Sequence, residues 1–344
     1  MMIMKKKKLK SSIILFSLFS SLLIAGCSNS SKETSGRTKA AGSETNAIRM
    51  AIDTAAGGSL QFRQAEKQGF FKDSNVDAKL SNFAMGVDTI NAVLTEQADT
   101  GIAADYVAIN SLAKGDLVIV ATLTRGNDKT SKANQLLANG NIKSAADLKG
   151  KKIGVNKGTV NEYVWAQYLK AHDLSEKDIT YVPYSTPDEA IVGVKKGDID
   201  AVWISGALLE KFKSIEGVHQ IDDLTGAGIT IDSYLLAKKS LVEENPKAVE
   251  NALKALNEGV QYVQNHKEET AKLAFEQLKL PEDGVLKDLD RNNYVLGFTK
   301  EDSNHLEEMK SWMEEKGILS KSFSLEDKLS LDPLKKALPE SVNY

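Results

Sequence analysis

Chemically reactive side chains are sparse in this sequence of 344 residues, and none falls into a catalytic spacing. Four histidines, His172, His219, His266 and His305, stand singly. No His-Glu-x-x-His zinc helix exists, and each histidine reads as a surface residue. Cys27 is the single cysteine, which excludes an intramolecular disulfide and a cysteine-based metal centre. No Gly-x-Ser-x-Gly elbow, P-loop or dinucleotide Gly-x-Gly-x-x-Gly occurs. What remains are groups that bind rather than react. Asp53, Asp105 and Glu162 are candidate carboxylates, Lys157 a partner for an anion, and Trp203 a flat apolar wall with core packing as its alternative. Gly57, Gly58, Gly86 and Gly158 admit close backbone approach, or simply suit helix starts. The expectation is a binding protein, not an enzyme, with no cofactor and no metal.

Cys27 acquires a meaning from its position. Met1 to Lys10 carries five lysines and no acid, and Ile13 to Ala25 is apolar apart from serines, the layout of a secretory signal. The run falls short of the roughly 20 apolar residues that span a bilayer. It ends at Ile24-Ala25-Gly26-Cys27, which resembles the bacterial lipobox. The resemblance implies removal of residues 1–26 and acylation of Cys27; a free or intermolecularly bridged thiol is the alternative. Residues 27–46 contain no large apolar side chain and read as a flexible tether. The expected location is outside the cytoplasm, anchored by lipid to the outer face of the cell membrane. Taking the five signal lysines from 44 basic residues leaves 39 against 47 acidic ones, a formal balance of −8. An acidic chain lacks the phosphate-neutralising charge that nucleic acid requires.

The elements that must position the candidate groups form an internal repeat. A strand at 48–52, a helix at 59–68, a strand at 76–80, a helix at 87–96 and a strand at 100–104 are read from periodicity and turn residues. The same order returns at 152–155, 160–171, 179–182, 187–195 and 201–204. Gly86-Val87-Asp88-Thr89 through Asp99-Thr100-Gly101 parallels Thr186-Pro187-Asp188-Glu189 through Asp198-Ile199-Asp200-Ala201. Two copies of one α/β unit predict two doubly wound lobes, each a parallel sheet. The β-rich runs 117–124 and 229–238 let the chain cross between them twice, as a two-strand hinge. From Asn245-Pro246 onward, Val249, Leu253, Leu256, Val260 and Val263 recur at helical spacing, so the C-terminal tail reads as helical. Packing it on the first lobe gives lobe 1 as 47–126 and 229–344, and lobe 2 as 127–228.

Several segments together resemble the type II periplasmic solute-binding proteins of ABC importers, in the branch for nitrate, taurine, aliphatic sulfonates and thiamine-precursor pyrimidines. They are Gly69-Phe70-Phe71, Asn82-Phe83-Ala84-Met85-Gly86, Ala98-Asp99-Thr100-Gly101-Ile102-Ala103, the run from Asp147 to Val155 and the run from Lys196 to Trp203. The resemblance covers residues 48–316. It implies a monomer that captures an aliphatic sulfonate, taurine or nitrate between closing lobes and hands it to a permease and ATPase. A thiamine-precursor pyrimidine or another small amine is the alternative solute, and a sensory surface lipoprotein or an enzyme on the same fold the alternative role. One departure stands out: many members place an acid and a proline after the strand that ends here at Trp203-Ile204-Ser205-Gly206.

Open α/β sheets bind ligands beyond the carboxyl ends of their strands, near helix N-termini. On the first lobe this selects Asp53, Thr54, Gly57 and Gly58; Phe83, Met85 and Gly86; and Ala104, Asp105 and Tyr106. On the second it selects Lys157, Gly158, Thr159 and Asn161, then Trp203 and Ser205. Each helix N-terminus favours an anion by roughly 0.3–1 kcal/mol. One unpaired buried carboxylate would cost an anion several kcal/mol, so the orientation of Asp53, Asp105 and Glu162 decides the ligand's charge.

Overall fold

The computed structural model describes residues 46–54 and 59–344. The signal, the acylation site at Cys27, the tether up to Thr45, and Gly57 and Gly58 lie outside the described residues. The first copy of the repeat appears as β1 (Ala47–Asp53), α1 (Leu60–Gln68), a short α2 (Phe70–Asp73), β2 (Asp77–Phe83), α3 (Gly86–Leu94) and β3 (Thr100–Ala104). Helix α4 (Asp105–Leu112) follows β3 without a loop, and β4 (Leu117–Arg125) leads out of this part of the chain. After α5 (Asp128–Ala133) and β5 (Gln135–Ala138), the second copy runs β6 (Lys152–Val155), α6 (Val160–Ala171), β7 (Thr180–Pro183), α7 (Pro187–Lys196) and β8 (Ala201–Ile204). Next come α8 (Leu209–Lys213), β9 (His219–Asp223) and the returning strand β10 (Ser233–Lys238). The tail holds α9 (Lys239–Glu244), α10 (Pro246–Asn265), α11 (Lys267–Leu278), α12 (Glu282–Arg291), β11 (Asn293–Thr299), α13 (Lys300–Glu315), α14 (Asp332–Ala337) and β12 (Val342–Asn343).

These strands make two sheets, ordered β12-β11-β4-β10-β3-β1-β2 and β7-β6-β8-β5-β9. The repeat is visible in the order itself. In each copy the first strand lies between the second and third, and all three are parallel. Neither sheet is parallel throughout. Beside the third strand of each copy lies an antiparallel one, β10 against β3 and β5 against β8. Strand β10 also pairs antiparallel with β4, so the outgoing and returning runs of the hinge are neighbours in one sheet.

Local chemistry sets the helix starts of the second copy. Thr186 caps α7, whose first residue is Pro187, while Glu189 Oε2 accepts the Ser185 amide at 2.7 Å. Thr159 caps α6 by accepting the Asn161 amide at 3.2 Å. Period-two burial then divides the second sheet's core. Leu136, Ile153, Val155 and Trp203 face Trp165 and Tyr168 of α6. On the opposite face, Leu137, Val202 and Ile204 pack on Ile191 of α7 and Phe212 of α8.

The tail is not wholly helical. Tyr294, Leu296 and Phe298 are buried at alternating positions, and β11 pairs antiparallel with β4. A seven-residue strand between two long helices is masked in sequence by its helical surroundings. Helix α10 packs on α1 at Gly259, where a Cβ would come 2.2 Å from the Gln61 carbonyl oxygen. Only glycine permits that approach.

Candidate functional site

The carboxyl ends of β1, β2 and β3 on one lobe and β6, β7 and β8 on the other gather most of the described candidates. Asp53 ends β1; its carbonyl accepts from the Ser59 hydroxyl at 2.8 Å and from Arg63 Nη2 at 3.2 Å. Thr54 donates its amide to the Phe83 carbonyl at 2.9 Å, locking the ends of β1 and β2 together. Met85 precedes α3, and its amide reaches Asp88 Oδ2 at 3.2 Å; Gly86 opens that helix. Ala104 ends β3 and caps α4.

Asp105 and Tyr106 form the first turn of α4 rather than a loop, and both are buried, at 0% and 2% exposure. Asp105 turns into the lobe. Its Oδ1 accepts the Tyr106 amide at 2.7 Å, and its Oδ2 lies 2.8 Å from His305 Nε2 on α13. His305 is therefore not the surface residue expected of an isolated histidine. Burial alone would lower its pKa, but the hydrogen bond and charge of Asp105, with Asp232 and Glu308, raise it to about 9. It is an imidazolium at neutral pH, so the charge of Asp105 is matched inside the protein and does not oppose an anion.

Asp232, at the returning end of the hinge, joins this cluster. Its carbonyl accepts the Asp105 amide at 3.1 Å, and its Oδ1 accepts the Gly126 amide at 2.7 Å where the chain leaves the first sheet. Burial raises the Asp232 pKa, with His305 opposing.

Tyr106 reaches the other lobe. Its hydroxyl donates to Glu162 Oε2 at 2.6 Å, and the Gly158 amide donates to the same oxygen at 3.0 Å. Burial and then Glu162 push the Tyr106 pKa far above its ordinary value, so it stays a donor. Gly158 has φ +77°, a left-handed conformation that directs its amide back at Glu162. Asn161 Oδ1 accepts the Asn156 amide at 3.0 Å, the Thr159 hydroxyl donates to the Asn156 carbonyl at 2.8 Å, and Lys157 is exposed in the same turn.

Further contacts tie the lobes on either side. Trp312 of α13 meets Tyr163 of α6 edge-on at 5.0 Å between ring centres, and Lys316 pairs with Glu176 at 3.3 Å. Near the end of β8, Ser205 is exposed, and Gly206 lies against Asp288 of α12, whose carboxyl is pushed up by burial. Trp203 stands apart from the other candidates. It is 4% exposed, and its ring packs on Trp165 and Tyr168 at 5.8 and 5.1 Å.

Nothing in the sequence marks Arg63 as a residue of this region. It is 3% exposed at the carboxyl ends of β1 and β2, and its partners are the Asp53 carbonyl, Asn82 Oδ1, Gln277 Oε1 and the Ser59 hydroxyl, all uncharged oxygens. Burial lowers its pKa while the charge of Asp53 raises it. An arginine inside an amphipathic helix gives no sequence signal of burial, and the roles of Asp232, Asp288 and Trp312 were hidden for the same reason. Among the described residues no group of three or more His, Cys, Asp or Glu could hold a metal ion, and no helix is long and apolar enough to cross a membrane.

The NMT1/THI5-like family profile matches residues 60–270. A protein of Escherichia coli named for binding aliphatic sulfonates is 27% identical over 243 residues, 68% of this chain and 73% of its own length. A protein of Haemophilus influenzae named for thiamine biosynthesis is 26% identical over 276 residues, 76% of this chain and 84% of its own. The crystal structure of the periplasmic aliphatic sulphonate binding protein SsuA from Escherichia coli superposes with a TM-score of 0.71 at 22% identity, covering 83% of this chain and 92% of that one. The desulfurization enzyme DSZB has the same fold, with a TM-score of 0.64 at 15% identity over 85% of this chain and 99% of its own. The fold is thus that of the periplasmic binding proteins, and enzymes also use it.

Proposed function

The chain belongs to the NMT1/THI5-like family, and from that membership we propose that it is the extracytoplasmic solute-binding component of an ABC importer. The observation that carries this reading is the pair of three-strand parallel units whose carboxyl ends are bridged by Tyr106 and Glu162. Ligands of open α/β sheets sit at such ends, and a solute held there would touch both lobes at once. In this reading residues 47–126 with 229–344 form one lobe and 127–228 the other, moving about the hinge of β4 and β10. Thr54, Phe83, Met85, Lys157, Asn161 and Ser205 line the cleft.

The solute proposed is an aliphatic sulfonate, taurine or nitrate, supported by the name of the Escherichia coli relative and by the neutralisation of Asp105 by His305. A thiamine-precursor pyrimidine or another small amine is a second reading, favoured by the Haemophilus influenzae relative and by the charge of Glu162. Lipidation of Cys27 would hold a monomer at the outer face of the membrane beside its permease and ATPase.

A thermal-shift screen of sulfonates, taurine, nitrate and aminopyrimidines tests the reading. A true solute at 100 times its Kd stabilises the folded state by about 2.7 kcal/mol. A melting temperature that moves with none of them overturns it.

A further inference from the structure

Glu162 differs from the other acid brought to this seam. Asp105 is matched by His305, whereas Glu162 forms no ion pair among the described residues. Its Oε2 is held by two neutral donors, the Tyr106 hydroxyl from one lobe and the Gly158 amide from the other, and its Oε1 accepts from no described residue. Neutral donors fix the carboxylate without cancelling its charge. An anion arriving at the first turn of α6 finds the Gly158 amide already engaged and a like charge beside it. An alkylammonium group meets an oriented acceptor of opposite charge, and a neutral aryl amino group an oriented N–H acceptor, with the ordering cost already met by the fold. Two cations stand near the seam: Lys157 is exposed in the same turn as Gly158 and pairs with no described carboxylate, and Arg63 is buried on the opposite lobe.

We propose that Glu162 is a specificity-determining residue of the cleft: it discriminates against a solute that presents a bare anion to the second lobe and favours one that presents an amino group there. Tyr106 is its positioning residue, because its hydrogen bond holds the carboxylate at the seam. This inference rests on the reading of the seam as a solute site.

Calorimetric titration of the purified protein with two matched pairs tests it: taurine against ethanesulfonate, and 4-aminopyrimidine against pyrimidine. Each pair differs by one amino group. The wild-type chain is expected to bind the amino member of at least one pair about tenfold or more tightly than its mate. Glu162→Gln keeps an acceptor for Tyr106 and Gly158 but removes the charge, and should erase that preference. Tyr106→Phe should reduce it while leaving the charge in place. If Glu162→Gln does not fold, Glu162→Asp, which retracts the carboxylate by one methylene, should lower the same ratio. A ratio unchanged by these variants, or a wild-type preference for the members without the amino group, overturns the role of Glu162 and leaves solute binding intact. Failure of all four probes to bind, in a chain whose melting temperature also answers to no solute, removes the solute-binding reading and this inference with it.

Discussion

His305 Nε2 and Asp105 Oδ2 stand 2.8 Å apart, joining a helix near the end of the chain to the helix that follows β3. The pair has a pH signature. The imidazole pKa rises from 6.5 to about 9 because the charge and hydrogen bond of Asp105, aided by Asp232 and Glu308, outweigh burial. A raised folded-state value means the folded chain holds the proton more tightly than the unfolded chain. The stabilisation is complete below pH 6.5 and disappears as pH rises through about 9. At about 1.4 kcal/mol per unit it amounts to roughly 3.5 kcal/mol at most. Urea unfolding across that window should show stability falling with pH, and His305→Gln should flatten the slope. An unchanged slope in His305→Gln would refute the assignment.

From sequence alone Trp203 fits either a cleft wall or core packing, and in the structure its ring lies among Trp165 and Tyr168. Trp203→Ala should therefore cost roughly 3–5 kcal/mol of stability, measured by denaturant unfolding. Among the described residues its buried Nε1 has no hydrogen-bond partner, so Trp203→Phe gives up little polar interaction and should cost far less. A near-neutral Trp203→Ala that loses solute affinity would return the residue to the cleft.

At Gly259 two backbone effects oppose each other. Alanine is favoured over glycine inside a helix by about 1 kcal/mol, but its Cβ would lie 2.2 Å from the Gln61 carbonyl oxygen, a backbone atom that cannot step aside. Overpacking of this kind costs about 1–3 kcal/mol or more. Gly259→Ala is expected to lower the midpoint of thermal unfolding, and a rise would mean that α10 and α1 separate more easily than their packing implies.

Cys27→Ser should move the protein from the membrane fraction to the soluble fraction with solute affinity unchanged. Retention at the membrane in that variant would refute lipid anchoring, because a single acyl site is the only anchor proposed.

The division between sequence and structure follows the range of the forces involved. Periodicity, capping residues and turn glycines act over a few residues. The five main strands and helices of each copy, α6 included but not the short α2, were therefore legible within residues 48–104 and 152–204, and the repeat of the order was legible with them. Strands β11 and β5, and the antiparallel pairing of the β-rich run that becomes β10, depend on which edge of a sheet is left open, and no local pattern records that. The candidate positions at the strand ends followed from topology alone.

The charge balance at those positions did not. Asp53, Asp105 and Glu162 are three similar acids in sequence. Tertiary structure brings an imidazolium 200 residues away to Asp105, leaves Glu162 with two neutral donors, and sets Arg63 beside Asp53. The chain thus determines where its strands end, by short-range preferences. Only folding decides which of its charges remain uncompensated there, because that depends on partners brought within a few ångströms from distant parts of the sequence.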